Sequence, residues 1–296
     1  MITFLRFARA HTIVGTSLSL LTLFLIAGRD VGQLNWALFA FSLFSCLCAN
    51  VYITGLNQLT DIEIDRINKP YLPLASGEYS VSTGRWIVGV CGVLAIVTCL
   101  FYIPWLALTV ILSLALGTAY SAEPIRLKRY HFWAAFCIIV VRGLIVNLLL
   151  YLHFRTSMGA RPQVPVEVFE AVIPASVWLL TAIIFVFGLI IAWFKDLPDT
   201  EGDAEHGIKT MSLLRSKEWV YRTGAWLLSA TLLFSGLFAY FMGDNLWLAL
   251  GLLALLAGFN YNATRLNLSE QKSIAAFYQG TWGVFFGVYV VFAVWG

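Results

Sequence analysis

Two clusters of acidic side chains carry the clearest chemical signal in this chain of 296 residues. The first runs from Asn57 through Asp61 to Asp65, and the second contains Asp199 and Asp203. Both clusters have a four-residue spacing, which places side chains on one face of a helix. Like charges this close destabilise one another unless a cation neutralises them, and hard divalent cations prefer oxygen ligands. The spacing therefore predicts rows of metal ligands, with Mg²⁺ as the natural choice.

The two rows are not equally regular. A helix that continued through the first cluster would place Asn57, Asp61 and Asp65 along one face over about 12 Å. Pro198 and Gly202 interrupt the second cluster, so a straight helix is less well defined there. The predicted metal ligands are the amide and carboxylate side chains of both clusters: Asn57, Asp61, Asp65, Asp196, Asp199 and Asp203.

Facing carboxylate rows that share Mg²⁺ can hold a diphosphate, and lysine and arginine side chains can neutralise the remaining charge. Metal coordination also promotes cleavage of a carbon–oxygen bond, because it stabilises the departing diphosphate. The structural alternative is that these acids and bases form only a solvated interface at helix ends. The basic residues predicted to bind a diphosphate are Lys69, Arg126, Lys128, Lys195 and Lys209.

The composition places these clusters at the surface of a membrane. Hydrophobic residues make up 60% of the chain and charged residues 12%, with a mean hydropathy of +0.81, whereas soluble domains are about 25% charged. A water-soluble globular protein is therefore excluded. The net charge of +3 offers no basic field for nucleic acid. The five cysteines form no CxxC pair, so neither a disulfide framework nor a thiolate metal site is indicated.

Apolar stretches of roughly 17 to 25 residues predict nine transmembrane helices. Most of the 19 lysines and arginines fall in one set of loops, so the positive-inside rule places the amino terminus in the cytoplasm and the carboxyl terminus opposite. Both acidic clusters then lie on the cytoplasmic side, in loops 59–85 and 195–220 of a single membrane domain covering 1–296. The predicted spans are 11–28, 35–58, 86–102, 104–121, 132–152, 172–194, 221–242, 244–262 and 275–295.

The motifs resemble those of the UbiA superfamily of intramembrane aromatic prenyltransferases, which carry an NxxxDxxxD motif and a DxxxD motif. Asn57, Asp61 and Asp65 match the first motif, and Asp199 and Asp203 match the second. The resemblance covers nearly the whole chain. Four segments are similar to the homogentisate prenyltransferases of tocopherol and plastoquinone synthesis, most nearly to the phytyl-transferring enzymes of cyanobacterial type: 55–77, 120–129, 141–147 and 194–203.

The resemblance implies nine helices in a ring around a central cavity. It also implies a reaction in which phytyl diphosphate alkylates homogentisate, which loses its carboxylate as carbon dioxide to give 2-methyl-6-phytylbenzoquinol. The phenol ring is itself the nucleophile, so no protein nucleophile is needed. Mg²⁺ is the implied cofactor, the bilayer is a thylakoid or plasma membrane, and Asp61, Asp65, Asp199 and Asp203 are the implied catalytic residues. The 22 Phe, 12 Tyr and 11 Trp residues can supply a dry aromatic cavity for an allylic cation.

Several alternatives stay open from the sequence. The donor can instead be geranylgeranyl or solanesyl diphosphate. Chlorophyll synthase is a neighbouring activity, although its motif usually has Glu at the place of Lys69 and Arg at the place of Leu72. Gln58 stands where the ubiquinone-type branch usually has a further Asp, which leaves the metal ligand set open. A cation transporter is disfavoured because the acidic residues lie at the ends of spans, not at the midplane.

Arg142 lies about ten residues into the fifth predicted span, where a charge is costly enough to indicate a function. It can bind a diphosphate oxygen or the carboxylate of homogentisate. The structural alternative is a hydrogen bond to backbone carbonyls or to Asn147. His11, at the start of the first span, is predicted to be an interfacial histidine.

Overall fold

The computed structural model describes residues 2–159, 173–198, 200 and 210–296. In these ranges the regular structure is entirely helical, and eight helices are long and apolar enough to cross a membrane. A further apolar helix, Trp105–Ser121, has 17 residues and occupies the place of the short predicted span 104–121. Its length is about 25 Å at 1.5 Å per residue. The all-helical membrane fold is therefore confirmed.

The helices are numbered here in chain order. The bounds are α1 Ile2–Phe7, α2 Ala10–Val31, α3 Trp36–Thr60, α4 Ile62–Asn68, α5 Val81–Cys99, α6 Trp105–Ser121, α7 His131–Gly159, α8 Ala175–Phe194, α9 Met211–Leu214, α10 Lys217–Phe241, α11 Leu246–Thr264 and α12 Gln271–Trp295. The central part of α7, Val140–Leu149, is a π-helix. The predicted loop 59–85 contains the short helix α4. The predicted spans match the long helices to within five residues, except that α7 extends seven residues beyond its predicted end at 152.

The apolar helices of the described residues form a closed ring. Each packs against the next along the chain, and α12 packs back against α2. The last part of α7, Leu150–Gly159, also packs directly on α2 across the ring. This contact closes one end of the space that the helices enclose. The members of the ring are α2, α3, α5, α6, α7, α8, α10, α11 and α12.

Polar residues fix where several helices begin. Asn35, Ser80, Ser216 and Asn245 each precede a long helix and accept a hydrogen bond at 3.0 Å from the backbone N–H three residues later. Such caps satisfy amide groups that no helical carbonyl can reach. The polar residues between apolar runs therefore define the ends of α3, α5, α10 and α11.

The outer surface of the ring is apolar, as a lipid environment requires. Trp86 is 73% exposed and Phe101 is 72% exposed. The closed end is packed with aromatic side chains, including Phe24 and Phe154, whose ring centroids are 5.3 Å apart. The Tyr151 hydroxyl donates a hydrogen bond to Asp30 at 2.6 Å nearby. The enclosed space therefore opens at the other end, where the acidic motifs lie.

Close packing of α1, α3 and α5 depends on Gly55. A Cβ atom at Gly55 would lie 2.6 Å from Val88 Cγ2 and 2.7 Å from Phe7 Cζ. Overpacking of this kind costs about 1–3 kcal/mol. We expect Gly55→Ala to lower the melting temperature in detergent, as measured by thermal unfolding. Gly89→Ala is the matched control, since no atom lies within 4 Å of its Cβ position; equal melting temperatures for the two variants would contradict this packing argument.

Candidate active site

The first acidic motif lies at a break between α3 and α4. Asp61 has non-helical dihedral angles, φ −120° and ψ 17°, between the end of α3 at Thr60 and the start of α4 at Ile62. The Asp65 N–H still donates to the Asp61 carbonyl at 2.7 Å, and the Asn57 side-chain amide donates to Asp61 Oδ2 at 2.8 Å. The expectation of an unbroken helix was therefore wrong at Asp61, but the four-residue relations across the motif persist.

Two of the predicted diphosphate ligands meet on Asp61. Lys128 Nζ donates to Asp61 Oδ1, and Arg126 Nη2 donates to the same oxygen at 3.1 Å. The Asp61 side chain is only 11% exposed and that of Lys128 only 7%. Lys128 also donates to Thr60 Oγ1 at 3.2 Å. The loop after α6 therefore places two cations directly on the first motif.

The buried position of Lys128 lowers the pKa of its ammonium group. Burial is the larger influence and lowers the pKa of Lys128 to about 8, while the contact with Asp61 opposes this with a smaller effect. Because the ammonium is desolvated, a further anion at this place would stabilise its charged form. An incoming phosphate group would supply that charge.

The end of α8 forms the facing wall. Lys195 Nζ donates to Asp196 Oδ1 at 2.6 Å, and both residues lie within electrostatic range of Tyr120 on α6, as does Asp61. The structure thus brings the neighbourhood of the second motif to the same end of the ring as the first motif.

Lys69 belongs to the same surroundings. Tyr278 on α12 lies within electrostatic range of both Lys69 and Lys195. These residues all lie at one end of the ring, which we call the mouth. The residues of the mouth are Asn57, Asp61, Asp65, Lys69, Tyr120, Arg126, Lys128, Lys195, Asp196 and Tyr278. Three further predicted site residues lie outside the described residues: Asp199, Asp203 and Lys209.

Arg9 is a further residue of the mouth that was not among the predicted site residues. It lies at the junction of α1 and α2 with a positive φ of 51°, and its Nη2 donates to Asn57 Oδ1 at 2.8 Å. Asn57 therefore links Arg9 to Asp61. The available signal was the placement of Arg9 just before the first span, on the same predicted side as both acidic clusters.

A cavity of about 240 Å³ leads inward from the mouth. Its walls are mostly apolar, and aromatic side chains come from α6 and α12. His11, at the start of α2, also lines it, with its ring centroid 4.8 Å from that of Trp282. No local sequence pattern distinguishes these aromatic residues from those that face lipid. The aromatic residues of the lining are Tyr120, Tyr278, Trp282, Phe285 and Tyr289.

Arg142 lies deeper in this cavity, on the π-helical segment of α7. Its guanidinium carbon is 5.0 Å from the ring centroid of Trp282 and 6.0 Å from that of Phe285, within the range of cation–π contacts. Asn147 instead donates to the Gly143 carbonyl at 3.1 Å and accepts from Tyr289. Among the described residues, the structural alternative of an Arg142–Asn147 hydrogen bond is therefore not observed.

The side-chain oxygen atoms at the mouth are suitable ligands for magnesium. In the part of the chain that the structure describes, no three acidic, histidine or cysteine side chains form a ready cluster for a metal. Asp61, Asp65 and Asp196 nevertheless place buried carboxylates at the mouth. Oxygen donors suit a hard cation, and Mg²⁺ usually takes only one or two carboxylates and shares its remaining positions with water and substrate phosphates.

Comparison with known proteins agrees with this geometry. The model of the UbiA prenyltransferase family matches residues 18–289. The chain is 42% identical to homogentisate phytyltransferase from Synechocystis sp., covering 99% of this chain and 95% of that protein. It is 35% identical to homogentisate phytyltransferase 1 from Arabidopsis thaliana (97% and 74% covered), and 33% identical to homogentisate geranylgeranyltransferase from Hordeum vulgare (97% and 70% covered).

Solved structures share the fold. A UbiA homologue from Archaeoglobus fulgidus bound to GPP and Mg²⁺ superposes with a TM-score of 0.66 at 17% identity, covering 96% of this chain and 99% of that chain. A structure of digeranylgeranylglyceryl phosphate synthase gives a TM-score of 0.62 at 20% identity, covering 99% and 96%. At these identities the likeness establishes the architecture, a helical ring of the same kind.

Proposed function

The chain belongs to the UbiA prenyltransferase family, and on that premise we propose that it transfers a phytyl group from phytyl diphosphate to homogentisate. The ring is alkylated and carbon dioxide is lost, which gives 2-methyl-6-phytylbenzoquinol, a precursor of tocopherols. The observation that carries this proposal is the convergence of Lys128 and Arg126 on Asp61 at the mouth of an apolar cavity. An isoprenoid diphosphate matches this arrangement, because its charged head suits the mouth and its apolar tail suits the cavity.

The donor's diphosphate occupies the mouth in this proposal. Bound Mg²⁺ would stabilise the charge that develops on the departing diphosphate. The carboxylates proposed to hold it are those of the two motifs, Asp61, Asp65, Asp199 and Asp203, together with Asp196 and the amide of Asn57. The cations proposed to bind and orient the diphosphate are Lys69, Arg126, Lys128, Lys195 and Lys209.

The cavity supplies the remaining requirements. Its apolar walls exclude water, which would otherwise capture the allylic cation that phytyl diphosphate leaves behind. The faces of Trp282 and Tyr278 line this space and can stabilise a neighbouring positive charge. The electron-rich homogentisate ring then forms the new carbon–carbon bond, and the ring hydrogen it replaces leaves as a proton. Loss of carbon dioxide breaks the bond between the side-chain methylene and the carboxylate, and the methylene takes up one proton to become the methyl group.

Cation transport fits the described residues less well. The carboxylates lie at the mouth, and the deeper charged side chain of the cavity is the positive Arg142. A cation moving inward would meet that like charge in an apolar environment, where repulsion is strong. The packing of Leu150–Gly159 on α2 closes the opposite end.

We place the mouth on the cytoplasmic side of a thylakoid or plasma membrane. The support is the positive-inside rule, since Arg6, Arg66 and Arg129 lie in described segments around the mouth, at the same end as the proposed diphosphate ligands. In this arrangement the whole chain, 1–296, is a single membrane domain.

A direct assay tests the proposed reaction. Membranes that contain the protein are given carboxyl-labelled homogentisate, Mg²⁺ and either phytyl, geranylgeranyl or solanesyl diphosphate. We expect phytylated quinol with release of labelled carbon dioxide, loss of turnover on adding EDTA, and recovery on restoring Mg²⁺. Membranes without the protein are the control. A preference for another donor would revise the prenyl chain, and no product from any pair would refute the proposal. In a parallel assay with chlorophyllide as acceptor, prenylation of chlorophyllide and not of homogentisate would change the acceptor.

A further inference from the structure

We infer that Arg142 binds the carboxylate of the aromatic acceptor, and that it thereby selects an aromatic acid over an uncharged phenol. This inference rests on the proposed function. It resolves the choice, open from the sequence, between a diphosphate oxygen and the acceptor carboxylate as the anion that Arg142 meets.

The first support is that no acidic side chain of the described residues pairs with Arg142. Within the described ranges, the Arg142 guanidinium makes no hydrogen bond or ion pair, and its near neighbours are the aromatic rings of Trp282 and Phe285. Its Nη1 also lies 3.7 Å from the Cβ position of Gly15. A charge inside a membrane protein is costly without a partner, so an anion that enters this cavity would gain a strong interaction.

The second support is the separation of Arg142 from the diphosphate site. Arg142 is eleven residues beyond the start of α7 at His131, which is roughly 16 Å along a helix. His11 and Tyr278 are near both regions, since His11 is in electrostatic range of Arg9 and Arg142, and Tyr278 is in range of Lys69, Lys195 and Arg142. The mouth already has Lys128 and Arg126 for a diphosphate. The second anionic substrate, which carries a single carboxylate, therefore matches the single deeper cation.

The third support is that α7 holds Arg142 in a fixed place. One turn further along, the Tyr289 hydroxyl donates to Asn147 Oδ1 at 2.9 Å, and Thr22 Oγ1 donates to the Tyr289 carbonyl at 2.9 Å. A Cβ atom at Gly143 would lie 3.0 Å from Phe185 Cα, so α7 and α8 are in backbone contact beside Arg142. Rare π-helical segments occur frequently at functional sites, and this one is locked by its neighbours.

The shape of the guanidinium agrees with a carboxylate ligand. The guanidinium carbon of Arg142 lies over the Trp282 ring at 5.0 Å, and Arg142 lines the cavity. Two parallel N–H groups match the two oxygens of a carboxylate, a pairing stronger and more specific than one to a neutral hydroxyl. A lysine at this position would keep the charge but lose the paired geometry.

The test compares Arg142→Met and Arg142→Lys with wild type, and uses Arg222→Met as the control because the Arg222 side chain is 75% exposed. The KM values for homogentisate and for phytyl diphosphate are measured separately. We expect Arg142→Met to raise the KM for homogentisate by roughly 10- to 100-fold, in line with loss of a charge-assisted pair. The KM for phytyl diphosphate should change less than about twofold. The homogentisate KM of Arg142→Lys should fall between those of wild type and Arg142→Met.

Methylhydroquinone gives a second readout, because it has the same ring as homogentisate but no carboxylate. Its inhibition constant against homogentisate is measured in both wild type and Arg142→Met. We expect its inhibition constant to be the same in both proteins. If Arg142→Met has no measurable turnover, stabilisation against heat by phytyl diphosphate with Mg²⁺ should persist.

The outcomes separate this inference from the function on which it rests. Failure of wild type to prenylate homogentisate would defeat the proposed function. A wild type that is active, together with an Arg142→Met variant whose homogentisate KM is unchanged, would defeat only the role of Arg142. A raised KM for phytyl diphosphate, or loss of its thermal stabilisation, would instead assign Arg142 to the donor.

Discussion

Asp61→Asn is expected to lower kcat/KM by a factor on the order of 100 to 1000, by analogy with removal of one electrostatic contact at the reacting group. The substitution keeps the shape of the side chain and removes its charge. Asp61 is proposed to share Mg²⁺ with the diphosphate, and it already contacts Lys128 and Arg126. Loss of this carboxylate therefore weakens the metal site and leaves two desolvated cations to repel one another. Initial rates at saturating Mg²⁺ and homogentisate give the measurement.

Glu63→Gln provides the matched control for Asp61→Asn. Glu63 lies two residues away on α4, but its side chain is 70% exposed and pairs with Arg66. Exposed pairs of this kind contribute about 1 kcal/mol or less, so Glu63→Gln should keep near wild-type turnover. Thermal unfolding should show that both variants fold. Equal activities of Asp61→Asn and wild type would remove Asp61 from the metal site.

The same reasoning extends to the second motif, which lies outside the described residues. If Asp199 and Asp203 complete the metal site, Asp199→Asn should reduce turnover to a degree similar to Asp61→Asn. Because both substitutions would disable one shared metal site, the double variant should be far less than additive. Independent, additive losses would indicate two separate roles for the motifs.

Much of this arrangement follows from local sequence. The apolar runs predict the helices because only a helix satisfies its own backbone in lipid, and the acidic motifs at their ends predict where a charged ligand binds. The cavity contacts do not follow in the same way. Trp282 and Trp86 are both tryptophans in apolar helices, yet Trp282 is 2% exposed and lines the cavity, whereas Trp86 is 73% exposed. The difference in their exposure comes from how each helix is rotated about its own axis in the ring, which a local sequence pattern does not show.

The break at Asp61 shows a second limit. A four-residue spacing is satisfied by a continuous helix, and it is also satisfied by two helices that meet at a shared residue. The Asn57 amide and the Arg126 and Lys128 side chains hold Asp61 at that junction. Arg126 and Lys128 are more than 60 residues away along the chain, so the contacts that stabilise the break are invisible to a local pattern.

Lys128→Met is expected to raise the KM for phytyl diphosphate by roughly 10- to 100-fold, the range for losing a hydrogen bond to a charged group. The methionine keeps the length of the side chain and removes the ammonium. The Lys128 side chain is 7% exposed, so water replaces its charge poorly. Arg129→Met is the matched control, because Arg129 is the next residue but its side chain is 48% exposed and pairs with Glu123. The KM for homogentisate should stay near the wild-type value in both variants.

A purely structural role for Lys128 predicts a different pattern. If Lys128 only neutralises Asp61, Lys128→Met should lower the melting temperature without changing the inhibition constant of Mg²⁺-pyrophosphate. Adding Asp61→Asn should then restore part of the stability, because it removes the excess buried negative charge while Arg126 keeps its pair with Glu123. If Lys128 holds the diphosphate, the double variant binds Mg²⁺-pyrophosphate more weakly than either single variant. A structural role is therefore seen in the melting temperatures of these variants, and a role in holding the donor is seen in their inhibition constants for Mg²⁺-pyrophosphate.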